Sequence, residues 1–142
     1  MANVTSDAGR ATVLVYSPWA PTRAAVRTAV GRRPSGGGPR IDWLECETGR
    51  EVRLAMEGGD VDLAILDGEA QPTGGMGLSR QFKYEINDCP PIIVLVARKQ
   101  DAWLSKWSLG DAVISQPIDP IVAAATVADL LLAREREIPV VR

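Results

Sequence analysis

The sequence predicts a doubly wound α/β domain, with five parallel strands in one sheet and helices covering both of its faces. Three observations carry that prediction. Apolar runs of strand length alternate with helix-patterned stretches five times along the chain. Two of the runs, VDLAILD (61–67) and IIVLVA (92–97), are apolar almost throughout, as strands buried on both faces are. Strands separated by helices pair in parallel through right-handed crossovers, which place helices on both sides of the sheet. A length of 142 residues suits one such domain, which buries about 70% of its unfolded surface.

Each element has its own signal. ATVLVY (11–16) reads as the first strand, and Pro21 then suits the first turn of a helix reaching about Arg33 with Ala25, Val26, Ala29 and Val30 on its inner face. GRRPSGGGPR (31–40) breaks the chain, and flexible linkage accounts for Gly36–Gly38. IDWLECE (41–47) alternates enough for a second strand, and Thr48-Gly49-Arg50-Glu51 carries a capping-box pattern that opens a short helix ending near Gly58-Gly59. After the third strand (61–67), GEAQPTGGMG (68–77) reads as a glycine-rich loop before a helix from about Leu78 to Ile86. Pro90-Pro91 introduces the fourth strand (92–97), and Asp101 can cap a fourth helix running through Leu109. AVIS (112–115) is a short fifth strand, and Asp119-Pro120 supplies the cap and first turn of a last helix reaching about Arg136. The domain therefore spans 11–136, between a flexible segment (1–10) and a tail (137–142) whose Pro139 stops the helix.

Composition excludes more than it names. There is no histidine, which removes Ser-His-Asp and Cys-His catalysis and histidine metal sites. Cys46 and Cys89 make neither a disulfide framework nor a usual zinc site and read as small buried hydrophobes. The two glycine stretches match neither phosphate-loop pattern. A net charge of −2 gives no broad pull toward nucleic acid or anionic lipid. With no signal-peptide run and no membrane-spanning stretch, the expected place is the cytosol, with no direct membrane insertion. No cofactor is implied, since SPWAPTR (17–23) lacks the glycine that a flavin-phosphate loop after strand one would want.

In a doubly wound sheet, ligands gather where loops leave the carboxyl ends of the strands. Those ends are Ser17-Pro18, Asp67, Val96-Ala97 and Ser115-Gln116-Pro117. The set resembles the receiver domain of two-component response regulators over about residues 11–136, which implies a (βα)5, flavodoxin-like three-layer sandwich. The resemblance implies that Asp67 matches the aspartate that takes a phosphoryl group in that family. It also implies that Ser17 and Pro18 stand where the family has its Mg²⁺-binding acidic pair, Val96 where it has a hydroxyl residue, and Gln116 before Pro117 where it has lysine. Ser17 offers at most one neutral hydroxyl and Pro18 no side-chain ligand, a poor donor set for an ion that wants octahedral oxygens. Val96 has no hydroxyl to donate, and Gln116 can hydrogen-bond to Asp67 without supplying charge. The pocket is expected to be held by direct hydrogen bonds among Asp67, Gln116 and Ser17, in a degenerate receiver that works by contact. Two other readings stand beside it: Asp67-Gly68 as ordinary turn chemistry, and an orphan regulator still switched at Asp67 by phosphate or by a small ligand.

Trp103 and Trp107 lie four apart on the fourth helix, a spacing that suits either a core-facing stripe or an exposed partner contact. The resemblance adds that the family's fourth helix, fifth strand and fifth helix carry partner contacts. Trp19 is placed to cap the pocket. Arg23 and Arg27, opposite the apolar face of helix one, read as solvated surface or as contacts for an acidic partner. DLAILDGE, GGMG, CPPI, AWLSKWS and PIDP resemble short orphan receivers of actinobacteria, some associated with type I NADH dehydrogenase. That resemblance implies a stand-alone protein, not an enzyme, bound to a protein partner within a larger complex and peripheral to the membrane.

Overall fold

The computed structural model describes residues 9–34 and 38–137. Five strands form one parallel sheet: β1 (Arg10–Tyr16), β2 (Arg40–Cys46), β3 (Leu63–Asp67), β4 (Ile92–Val96) and β5 (Ala112–Ser115). Their spatial order is β2-β1-β3-β4-β5, all neighbours parallel, with Tyr16 level with Cys46 and Leu66 and with Asp67 level with Leu95. The helices are α1 (Ala20–Val30), α2 (Gly49–Glu57), α3 (Gly75–Glu85), α4 (Leu104–Ser108) and α5 (Pro120–Glu137). The predicted doubly wound sheet is therefore what the chain forms. Of the expected flexible segment (1–10), residues 1–8 lie outside the described residues and Arg10 opens β1 instead; Gly36 and Gly37 of the expected linker and residues 138–142 of the tail also lie outside them.

The strands' two-residue period sorts the core into two layers. Val13, Val15, Leu63, Ile65, Ile93 and Leu95 face α1 and α5, meeting Val26, Val30, Ala123 and Val127. Leu14, Ala64, Leu66, Ile92, Val94 and Val96 face α2 and α3, meeting Val52, Met56, Leu78 and Phe82. Both faces of the central strands are covered, which is why β3 and β4 read as continuous apolar runs.

Local chemistry sets most boundaries. Thr48 caps α2 through the predicted capping box, its hydroxyl accepting from Glu51 N–H at 3.1 Å while the Glu51 carboxylate accepts from Thr48 N–H at 3.1 Å. Asp119 caps α5 by accepting from Ile121 N–H at 2.9 Å. β2 and β3 begin at Arg40 and Leu63, one residue before and two residues after expectation. α1 stops at Val30, short of Arg33, because Gly31 takes φ +80° and turns the chain. Its inner face also departs from the expectation: Ala25 is exposed and Arg23 is buried, at 8% exposure.

Two further corrections concern α3 and α4. α3 begins at Gly75, three residues before Leu78, because Gly75 lies directly on the end of β3, where a Cβ would come within 2.7 Å of the Asp67 carbonyl oxygen. Gly75 serves close approach, which a reading of it as a loop residue misses. The predicted helix from Asp101 to Leu109 is a 3₁₀ turn at Lys99–Asp101 followed by the five-residue α4. Asp101 does not cap it; its carboxylate pairs with the Arg98 guanidinium at 3.1 Å. Leu109, at φ +62°, ends it.

Candidate functional site

The sheet order reverses between β1 and β3, and at such a switch point two adjacent strands send their following loops to opposite faces, leaving a crevice. Ser17 follows β1 and Asp67 ends β3, so both sit at that crevice. Ser17 is fully buried and Asp67 is 1% exposed. The Ser17 hydroxyl donates to Asp67 Oδ2 at 2.8 Å, and Glu69 N–H donates to Asp67 Oδ1 at 2.8 Å. Both carboxylate oxygens are thus engaged, the second in a turn of the aspartate on its own backbone two residues on. Trp19 N–H donates back to Ser17 Oγ at 3.1 Å, so the hydroxyl is donor and acceptor at once.

Ser17 is itself held from behind. Its carbonyl accepts from Arg23 Nη1 at 2.7 Å, and its N–H donates to the Cys46 carbonyl at 3.2 Å. Arg23 Nε donates to Glu45 Oε1 at 2.9 Å, and Arg27 Nε lies 3.2 Å from Glu45 Oε2. The expectation that Arg23 is solvated surface is overturned: one turn into α1 it lies against β2, where Glu45 compensates its charge. Arg27 remains partly exposed on the outer side of the same carboxylate. Nothing local in the sequence pairs positions 23 and 45, since β2 is a mixed strand in which Asp42 and Glu45 are equally plausible surface charges.

The remaining predicted positions are distributed around this pair. Pro18 directly follows Ser17 and is half-buried. Val96 is fully buried in the apolar layer facing α2 and α3. Gln116 N–H donates to the Val96 carbonyl at 2.9 Å, but among the described residues the Gln116 side chain makes no hydrogen bond to Asp67. It lines instead, with Pro117, Pro21 and Ala24, a shallow cavity of about 570 Å³ between α1 and the start of α5. The expected lock therefore holds for Ser17 and fails for Gln116. The Gln116–Pro117 peptide is cis. Trp19 is 47% exposed, touching the site through its backbone.

Tyr16, which the sequence reading passed over, closes the other side: its hydroxyl donates to the Thr73 carbonyl at 2.6 Å and pins the β3–α3 loop. Burial, and next the Asp67 charge, raise the Tyr16 pKa above its ordinary value, so the phenol stays protonated and donating. Among the described residues no three His, Cys, Asp or Glu side chains are grouped to hold a metal ion, and no helix is long and apolar enough to cross a membrane. Trp103 and Trp107 lie away from the core, 66% and 51% exposed, so the core-stripe reading of the pair is set aside. Cys46 is buried and Cys89 half-buried.

No family model matches the chain. It is 48% identical over 121 residues to response regulatory proteins of two Mycobacterium tuberculosis strains, covering 85% of this chain and 91% of each relative. The Francisella response regulator 1452 receiver domain superposes with a TM-score of 0.71 at 18% identity, covering 87% of this chain and 98% of that one. A CheY-like receiver domain protein from Methanospirillum hungatei superposes with a TM-score of 0.69 at 16% identity, covering 89% and 98%. At these identities the two structures speak to the fold alone.

Proposed function

The chain belongs to the response regulator family as a receiver domain, and from that premise we propose that it is a non-enzymatic interaction module whose phosphorylation pocket has been replaced by a fixed hydrogen-bonded lock. The observation that carries this reading is the Ser17 Oγ to Asp67 Oδ2 bond of 2.8 Å, with Pro18 beside it. Mg²⁺ wants six oxygens and concentrated negative charge. The crevice offers one carboxylate, both oxygens of which already accept hydrogen bonds, and one hydroxyl that is donating. These donors do not fit the ion. Phosphoryl transfer also needs cationic stabilisation of developing charge. Arg23, the guanidinium closest in sequence to Ser17, commits Nε to Glu45 and Nη1 to the Ser17 carbonyl, and Gln116 brings an uncharged amide that makes no hydrogen bond to Asp67 among the described residues.

The partner is proposed to be a larger protein assembly in the cytoplasm or at the membrane surface, with respiratory type I NADH dehydrogenase as the candidate, on the strength of the DLAILDGE, AWLSKWS and PIDP segments. Two measurements test the reading. Incubation with acetyl phosphate and Mg²⁺ followed by intact-mass spectrometry should give no phosphoryl adduct; an adduct that disappears in Asp67→Asn would establish the switch instead. Tagged protein purified from its native host at mild salt should bring down a respiratory complex, and recovery of the protein alone would remove the assembly from consideration.

A further inference from the structure

The geometry points to the α3–α4 face as the docking surface, and to an acidic, apolar segment of a partner protein as its occupant. This rests on the reading of the chain as an interaction module, and deepens it by naming surface and ligand chemistry. Arg80 on α3 lies between two exposed rings, 5.4 Å from the centroid of Tyr84 and 5.3 Å from that of Trp107. Its Nη1 donates to the Trp107 carbonyl at 2.7 Å, and the neighbouring Ser79 hydroxyl donates to the Ser108 carbonyl at 2.8 Å. The last carbonyls of α4 have no partners within so short a helix, and α3 supplies them. A five-residue helix with little stability of its own is thereby fastened to α3.

The consequence is an aromatic surface already ordered before any partner arrives. Tyr84 is 71% exposed, Trp107 lies open on the other side of Arg80, and Trp103, just before α4, is open as well. Tryptophan, tyrosine and arginine are the residue types that dominate binding hot spots, and prior ordering lowers the entropy cost of association. Charge selects the occupant. The nearby acids Asp101 and Asp111 are taken by Arg98 and Lys83. Among the described residues, Arg80, Lys99 and Lys106 have no carboxylate partner, although the chain as a whole carries −2. A segment bearing carboxylates around apolar side chains would satisfy both the rings and the cations. Nucleic acid fits less well, since its affinity comes from neutralising many phosphates, and this face offers only Arg80, Lys99 and Lys106 as cations without a carboxylate partner among the described residues.

The test is site-specific photocrosslinking of the full chain in its native host. Benzoylphenylalanine is placed at Tyr84 or Trp103, and for comparison at Ile121 or Val122 on the exposed side of α5. The expected result is adducts from positions 84 and 103 only, on a protein peptide rich in Asp and Glu. The double reversal Lys99→Glu/Lys106→Glu, at exposed positions that leave the melting curve unchanged, should lower adduct yield at least about tenfold. Adducts from positions 121 and 122 alone, nuclease-sensitive adducts, a basic target peptide, or a yield indifferent to charge reversal would each overturn this inference while leaving the interaction reading standing. No adduct from any position, with the protein migrating alone on a native gel, would overturn both.

Discussion

Ser17→Ala removes one oxygen, and the structure says what that oxygen does. It deprives Asp67, a carboxylate 1% exposed, of one of its two donors, and leaves the Trp19 N–H without an acceptor. A hydrogen bond to a buried charge contributes about 1.5–3 kcal/mol, and the Trp19 amide, close to solvent, adds about 0.5 kcal/mol. The expected loss is about 2–3 kcal/mol, read as a shift of the urea midpoint at unchanged slope. At this chain length each kcal/mol moves the melting temperature by about 3 °C, so the variant should melt about 6–9 °C lower. Asp67→Asn behaves differently. The amide can turn its oxygen to Glu69 N–H and donate to Ser17, whose hydroxyl rotates to accept, so the network survives without a charge at a cost within about 1 kcal/mol. In that background Ser17→Ala should cost only the neutral-bond value of about 1 kcal/mol, giving a coupling of about 1–2 kcal/mol in the double-mutant cycle. A Ser17→Ala variant within about 0.5 kcal/mol of the parent, or a cycle with no coupling, would refute the idea that the hydroxyl holds the carboxylate.

Three other predictions follow from the same packing. Glu45→Ala leaves Arg23, whose side chain is 9% exposed, with its charge uncompensated; since Glu45 itself is 38% exposed the expected loss is about 1–2 kcal/mol in urea, well below that of a fully buried pair. Burial, and next the Glu51 charge, raise the Cys46 thiol from 9.0 to about 11, so the fold holds the protonated form. Its contribution is complete below about pH 9 and is lost as pH rises toward 11, about 2–3 kcal/mol in all, and Cys46→Ala should flatten that part of a stability profile measured from pH 8 to 11. Gly75→Ala would set a Cβ 2.7 Å from the Asp67 carbonyl oxygen and 2.8 Å from the Leu66 carbonyl carbon, backbone that cannot yield, and should cost about 2 kcal/mol or more. Gly77→Ala in the same helix meets nothing within 4 Å and should stabilise by about 0.5–1 kcal/mol; equal effects at 75 and 77 would remove the steric explanation.

The fold was legible because it is written in local signals. The double burial of 63–67 and 92–96, the Thr48 box and the Asp119 cap are each decided within a few residues of chain, and the structure repeats them. What was not legible depends on tertiary contact. Helical periodicity put Arg23 outside, because an arginine on a helix is usually solvated; Glu45, from a strand 22 positions away, makes its burial tolerable. Gly75 read as loop because glycine weakens helices, whereas here its missing side chain lets α3 sit on the end of β3. At the crevice, Ser17 and Asp67 were legible as neighbours because both follow strands that a doubly wound sheet brings together. That Gln116 turns away from them was not, since an amide next to a proline carries no directional signal.

These pieces bear on one another at the crevice. For Asp67 to take a phosphoryl group, the oxygen that forms the bond must give up its donor, the Ser17 hydroxyl on Oδ2 or Glu69 N–H on Oδ1. If the Ser17 bond contributes about 2 kcal/mol, the state with Oδ2 released is a few per cent of the population, and attack through that oxygen is slowed to that fraction. A phosphoryl group meets a second obstacle, because Arg23 cannot swing in without leaving Glu45 and dropping the Ser17 carbonyl, the contact that positions the serine hydroxyl. A chain of contacts thus runs from Glu45 through Arg23 and Ser17 to Asp67, in which each member holds the next, so the crevice is biased toward one arrangement. On the proposed reading of the chain as an interaction module, the surface assembled on α3 and α4 then stays constant whatever phosphodonors surround the protein, the condition a permanent contact requires.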